Sequence, residues 1–188
     1  MTEAPSAAST VALVLTHNAP ASLARCLADV AGQTTPPGKV LVIDNASEPP
    51  AEVGGSTKGR VPVEVVRSPV NTGPAGGYAL AFERFLESDA THAWVLDDDM
   101  RPDPCCLERL WKVAAPEPSR AFVFPVSRQG DDESSYQVWP SWCGFLIARE
   151  IPEQVGVPMA ELFWWAEDTE YLQCRIPDAG YPRQVARD

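Results

Sequence analysis

A chain of 188 residues, 45% hydrophobic and 22% charged, has the size and balance of one folded domain and excludes a disordered or collagen-like chain. Fifteen Lys and Arg against 26 Asp and Glu leave a net charge of -11, which opposes nucleic acid as a partner; a phosphorylated small molecule would need a cation, or backbone N–H groups at helix starts, to overcome the repulsion. No apolar run reaches the roughly 18 residues that span a bilayer, and the N-terminus lacks the basic-then-apolar layout of a signal peptide, so the cytoplasm is the expected compartment.

Residues 1–9 are small and polar and are expected to fray, leaving 10–188 as a single domain. Val11 to Thr16 has the length and β-branching of a buried strand, and Pro20 suits the first turn of the helix that follows. In that helix Leu23, Cys26, Leu27, Val30 and Ala31 share one face, and Pro36-Pro37-Gly38 stops it. Val40 to Ile43 is a second strand ending at Asp44, residues 45–59 read as a loop, and Val61 to Val66 is a third strand. The connection Asn71-Thr72-Gly73-Pro74-Ala75-Gly76-Gly77 leads into a helix from Tyr78 to about Glu87 with Ala79, Phe82, Phe85 and Leu86 on one face. Ala93 to Leu96 is a fourth strand that runs into Asp97-Asp98-Asp99. Three β-then-α units in succession predict a doubly wound, mostly parallel α/β sheet.

The second half reads as mixed α+β: a helix from about Cys105 to Ala114, a strand at Ala121 to Pro125, a polar loop at Gln129 to Ser135, a short segment at Gln137 to Trp139 and a strand at Cys143 to Ala148. Four of the six tryptophans, Trp139, Trp142, Trp164 and Trp165, crowd into it. The five cysteines are odd in number and lack paired metal-ligand spacing, so they read as reduced thiols, mostly in the core. His17 and His92 are isolated and read as exposed or internally satisfied.

Open α/β sheets bind ligands at the carboxyl ends of their strands, which here carry Thr16-His17-Asn18, Asp44-Asn45, Asn71 with its glycines, and Asp97-Asp98-Asp99. Three adjacent aspartates repel one another; either they form a solvated acidic turn, or they meet a hard divalent cation such as Mg²⁺ or Mn²⁺ that also holds a ligand's phosphates. The glycines after Asn71 lack the Lys-Ser/Thr of a P-loop and the spacing of a dinucleotide fingerprint; they cradle a ligand or merely permit positive φ and close packing. In Phe163-Trp164-Trp165-Ala166-Glu167-Asp168-Thr169-Glu170-Tyr171 the carboxylates either complement a helix N-terminus or supply a general base beside an aromatic platform for a sugar.

Taken in order, residues 11–18, 40–47, 71–77, 96–100 and 164–171 resemble glycosyltransferase family 2, inverting nucleotide-sugar transferases with a Rossmann-like GT-A fold, over about residues 10 to 182. Asp-Asp-Asp-Met-Arg-Pro-Asp and the tryptophan pair before Glu-Asp look most like the branch with bacterial galactofuranosyl and rhamnosyl transferases. The resemblance implies that Thr16, Asn18, Asp44, Asn71 and Asp98 contact the nucleotide. It implies further that Asp97 and Asp99 hold Mn²⁺ or Mg²⁺, that Asp168 is the general base, and that Trp142, Trp164, Trp165 and Glu167 contact the acceptor. The implied donor is a UDP- or dTDP-linked sugar and the implied acceptor a hydroxyl of a glycan, glycolipid or small-molecule glycoside, as in cell-wall or polysaccharide synthesis. Lipid-linked acceptors would bring the protein peripherally to the inner membrane face. The family often carries a metal-binding His after the segment that here reads Ala179-Gly180-Tyr181-Pro182, and the sequence reaches Asp188 without one. That departure implies a truncated C-terminus, or a metal shell completed by diphosphate and water, and it motivates an alternative: a catalytically idle sugar-nucleotide binding module or partner subunit. A nucleotidyltransferase is disfavoured because the first strand is not followed by a Gly-rich, basic triphosphate loop.

Overall fold

A computed structural model of the chain describes residues 6–128, 136–137 and 140–187. Strands β1 (Thr10–Thr16), β2 (Lys39–Asn45), β3 (Val63–Ser68) and β4 (His92–Asp97) lie parallel in the order β3-β2-β1-β4. All of β1 is buried, as its continuous apolar run requires for a strand covered on both faces. The crossover helices are α1 (Pro20–Ala31) and α2 (Gly73–Glu87). β1 to β2 and β3 to β4 step in opposite directions, so right-handed connections put α1 and α2 on opposite faces of the sheet. The face of α1 read from the sequence is the one it buries.

Helix α3 (Cys106–Ala114) leads to β5 (Phe122–Pro125), and a two-stranded ribbon follows, formed by β6 (Ser127–Arg128) and β7 (Tyr136–Gln137). β8 (Cys143–Ala148) then runs antiparallel between β4 and β5, and β9 (Gln184–Ala186) closes the far edge parallel to β5. Seven strands in the order β3-β2-β1-β4-β8-β5-β9 make the doubly wound, mostly parallel sheet with a mixed second half that the sequence predicts. Helix α4 (Glu150–Val155) and strand β9 were not foreseen; both are too short to show a period. Residues 129–135 and Trp139 lie outside the described residues.

Several boundaries differ from expectation. Ser6–Ser9, read as part of a fraying lead-in, form a single 3₁₀ turn tied to the sheet through Ala7 O, which accepts from Gly38 N, and Ser9 O, which accepts from Thr91 N. The glycines of residues 73–77 are the first turn of α2 and not a loop before it. After Asp168 the chain forms a π-helical turn, Thr169–Arg175, that passes into α5 (Ile176–Asp178). Only Cys26 is fully buried; Cys105, Cys106 and Cys143 are half-buried and Cys174 is exposed, and all five are free thiols.

Candidate active site

The register of the parallel strands fixes the first row of the site. Thr16 pairs with Asp44, and Leu15 with Asp97, so the ends of β1, β2 and β4 lie side by side at the carboxyl edge. Beyond β4, the Thr16 hydroxyl donates to Asp98 Oδ2 at 2.5 Å, locking the middle aspartate against β1. The Tyr78 hydroxyl, from α2, donates to Asp97 Oδ1 at 2.5 Å. Asp99 is exposed. The three carboxylates of the triplet thus face three different surroundings, because Asp97 ends the strand and Asp98 and Asp99 leave it in a turn.

The charge at this edge is predominantly negative, although His17 favours the Asp98 anion. Burial pushes the Asp97 carboxyl up to about 7, opposed by the Tyr78 hydrogen bond and aided by the charges of Asp99, Asp98 and Glu167. Burial likewise raises Asp98, although the Thr16 hydroxyl favours its anion. No Lys or Arg among the described residues forms an ion pair with Asp97, Asp98 or Asp99; the neighbouring Arg101 pairs with Asp29. Among the described residues no three Asp, Glu, His or Cys side chains gather closely enough to hold a metal ion unaided.

Asp44 and Asn45 organise the loops around this row. Asp44 is buried, with Oδ1 accepting from Ser47 N and Oδ2 from Ala51 N and Arg67. Burial alone would raise its carboxyl, and these hydrogen bonds and the Arg67 guanidinium outweigh that and hold it below the usual range. Asn45 Nδ2 donates to Asn71 Oδ1 and Gly73 O, while its Oδ1 accepts from Thr72 N and Thr72 Oγ1. Asn71 Oδ1 also accepts from Gly73 N, so Asn71 joins β2 to the start of α2. Asn18 Oδ1 accepts from Glu48 N and its own N–H donates to Ser47, fastening the loop after β1 to the loop after β2. His17 is exposed with Nδ1 against Asn45 O, and His92 is buried between the Thr91 hydroxyl and Pro118 O, as expected of satisfied imidazoles.

Two of the glycines are needed for close packing. Gly73 has φ +67°, and a Cβ there would strike the Phe163 carbonyl, which accepts from Ala75 N at 3.1 Å. A Cβ at Gly77 would strike the Leu15 side chain. One N–H of the first turn of α2 is therefore taken by Phe163 O.

That same contact brings in the second wall. Phe163 and Ala166 hold φ of +56° and +64°, a conformation costly for residues with a Cβ, and between them Trp164 and Trp165 stand 63% and 83% exposed. Glu167 is buried beside them. Burial and the Asp168 charge raise its carboxyl, against its own backbone N–H and the Trp142 indole N–H. The Trp142 Nε1 faces that carboxyl but reaches no hydrogen bond of normal geometry and has no other partner, although the ring is 2% exposed. Trp142 stacks on Tyr78 with centroids 4.0 Å apart, and its backbone O accepts from Asp97 N. Half-buried Asp168 accepts from Thr169 N at 2.6 Å, and the charges of Asp97, Asp99 and Asp168 all act on the Cys143 thiol, which burial raises first. The acid triplet and the Glu167-Asp168 pair therefore share one end of the sheet.

Tyr78 and Arg67 were absent from the sequence reading of the site. Tyr78 precedes Phe82 by four and Phe85 by seven residues, so it lies on the stripe already recognised, and a buried tyrosine there needs a partner for its hydroxyl. Arg67 carries no comparable signal, because its pairing with Asp44 depends on strand register.

This geometry has relatives. Galactofuranosyltransferase GlfT1 of Mycolicibacterium smegmatis is 29% identical over 91% of the chain and 66% of its own length. Among solved structures, S. aureus TarS 1-349 in complex with UDP matches with a TM-score of 0.75 at 15% identity, over 95% of the chain and 58% of its own. The mannosyltransferase PcManGT from Pyrobaculum calidifontis, in complex with GDP-Man and Mn²⁺, matches with a TM-score of 0.71 at 19% identity, over 98% and 57%. The chain thus spans about two thirds or less of the length of these proteins, and the fold it shares with them is the GT-A arrangement expected from the sequence. The family model for glycosyl transferase family 2 matches residues 11–164, and to that family the chain belongs.

Proposed function

We propose that this site transfers a sugar from a nucleoside diphosphate, UDP or dTDP, to the hydroxyl of a glycan, glycolipid or small-molecule glycoside, with inversion at the anomeric carbon. The observation that carries the reading is the convergence at one sheet edge of Asp97, Asp98 and Asp99 with Glu167 and Asp168, without a basic partner for the triplet among the described residues. Hard, crowded carboxylate oxygens suit a divalent cation, and because too few of them gather to complete a shell, diphosphate and water oxygens would supply the rest. The donor set fits Mn²⁺ or Mg²⁺, with Asp97 and Asp99 as the holding residues. Such an ion neutralises the charge that develops on the departing diphosphate.

The chain's own residues do the remainder. Thr16, Asn18, Asp44, Asn71 and Asp98 line or brace the nucleotide side, where Asp44 and Asn71 act through the loops they fasten. Trp164 and Trp165, held outward between two left-handed residues, stack on the acceptor, with Glu167 and the unpartnered Trp142 N–H beneath them. Asp168 takes the acceptor's hydroxyl proton as that oxygen forms its bond to the anomeric carbon; the diphosphate leaves from the opposite face with the bonding pair. The similarity to galactofuranosyltransferases points to furanosyl transfer in cell-wall or polysaccharide synthesis. Among the described residues no helix is long and apolar enough to cross a membrane, so a lipid-linked acceptor would be met at the membrane surface.

Calorimetric titration with UDP and dTDP, with and without Mn²⁺, on wild type and Asp99→Asn tests this. Binding that needs both the metal and Asp99, followed by turnover that Asp168→Asn abolishes, supports transfer. Metal-dependent binding with no turnover for any acceptor supports instead an idle sugar-nucleotide binding module, the reading favoured by the absence of a third metal-ligating side chain among the described residues.

A further inference from the structure

We propose that Tyr78 is a positioning residue that makes Asp97 a one-oxygen ligand and thereby tunes the site to small, six-coordinate cations over calcium; this rests on the cation-assisted reading above. Tyr78 is wholly buried, and its hydroxyl donates to Asp97 Oδ1 at 2.5 Å. The phenol cannot swing away. Its ring stacks on Trp142 at 4.0 Å and 18°, and Trp142 O accepts from Asp97 N at 3.1 Å, so Tyr78, Trp142 and Asp97 form a closed ring of contacts. The helix that carries Tyr78 is itself pinned at its start, where Gly73 O accepts from Asn45 Nδ2 and Ala75 N donates to Phe163 O.

With Oδ1 engaged by the phenol, Asp97 Oδ2 is the oxygen left to meet a cation. Mg²⁺-sized ions take octahedral shells with one oxygen from each carboxylate, whereas Ca²⁺ takes six to eight ligands and accepts both oxygens of one carboxylate. A hydroxyl fixed on Oδ1 weakens that oxygen as a ligand and so disfavours the second mode. The effect is on which ion is held, and it acts through Asp97 rather than through contact with substrate.

The test compares wild type, Tyr78→Phe and Tyr171→Phe, reading Mn²⁺ binding by electron paramagnetic resonance with and without UDP, and Ca²⁺ by competition. Tyr78→Phe keeps the stacked ring and removes only the hydroxyl. Tyr171→Phe removes another buried hydroxyl, which donates to Gly156 O, and controls for general loosening. The preference for Mn²⁺ over Ca²⁺ is expected to fall about tenfold in Tyr78→Phe, as for loss of one hydrogen bond to a charged group, and to stay at the wild-type value in Tyr171→Phe. An unchanged preference in a folded Tyr78→Phe overturns the inference while leaving the proposed transfer intact. A crystal structure of wild type with Mn²⁺ and UDP provides a second reading: one-oxygen contact from Asp97 supports the inference, and two-oxygen contact overturns it. Absence of Mn²⁺ binding by wild type, with UDP present, overturns the transfer reading and this inference together.

Discussion

The two ends of the central sheet are built on opposite electrostatic principles. At the amino end, where β1, β2 and β4 begin and β8 finishes, the polar groups around Arg149 and Trp111 are paired. Arg149 donates to the carbonyls of Phe85, Leu86, Ser88 and Ala90, closing the carboxyl end of α2, and its guanidinium lies over the Phe85 ring. Trp111 Nε1 donates to Thr10 Oγ1, and a groove of about 590 Å³ nearby is lined by the ion pairs Lys39–Glu64 and Arg84–Glu87 together with Asp89. At the carboxyl end the acid triplet crowds without a Lys or Arg partner among the described residues, an indole N–H lacks a partner, and Asn18, Ala46, Phe163 and Ala166 hold left-handed backbone. One end is settled in the absence of a ligand; the other has unmet electrostatic demand. The difference teaches that uncompensated charge, rather than the amino-end groove, marks the edge proposed to meet the donor.

The largest expected effect lies at the carboxyl end. Asp168→Asn should lower transfer by about 10²–10⁴-fold, the range for loss of a general base, with UDP affinity retained; steady-state kinetics and calorimetry together check both halves. At the amino end, Arg149→Met should leave the α2 carbonyls without their donor and cost about 3 kcal/mol, an expected drop of roughly 6–12 °C in melting temperature. If that variant melts with wild type, the amino end is not the stabilising one.

The contrast sharpens with pH. His92 is held below its usual 6.5 by burial, against the Pro118 carbonyl and Glu150, so the unfolded chain takes the proton first and this contribution to stability is lost as the pH falls below about 6.5. Asp97 sits at about 7, above its usual 3.8, so the folded chain holds the extra proton and stability falls as the pH rises between those values. Melting curves from pH 4.5 to 8 without divalent cations should show Asp97→Asn removing a loss of stability that builds as the pH rises toward 7, and His92→Asn removing one that builds as the pH falls below about 6.5. A decline that survives Asp97→Asn unchanged would locate the repulsion elsewhere. The smallest stability effect belongs to the 83% exposed Trp165, whose replacement by Ala should alter stability by no more than about 0.5 kcal/mol while raising acceptor KM.

Much of this architecture is legible in the residues. β1 and β2 announce themselves as buried apolar runs, α1 by its helical stripe, and the acid triplet by its place after β4. Elements with weak local signals were less visible. The start of α2 was misplaced because glycine and proline argue against helix, yet Pro74 occupies the first turn, where its missing N–H costs nothing, and Gly73 meets the Phe163 carbonyl too closely for any side chain. The π-helical turn after Asp168 and the strand β9 depend on what they pack against, so no period in the sequence marks them.

The sequence by itself determined the first four strands, the helical stripe of α1 and the doubly wound, mostly parallel class of the sheet, because hydrophobic period is a local property that survives in one dimension. Only the tertiary structure decided that Tyr78 would hold Asp97, that Thr16 would hold Asp98, that Arg67 would neutralise Asp44, and that Phe163 would seat the tryptophan pair against α2. Those pairings join residues 19 to 88 positions apart through strand register and helix placement, and hydrogen bonds of that span are fixed by the packed fold rather than by any neighbour in the chain.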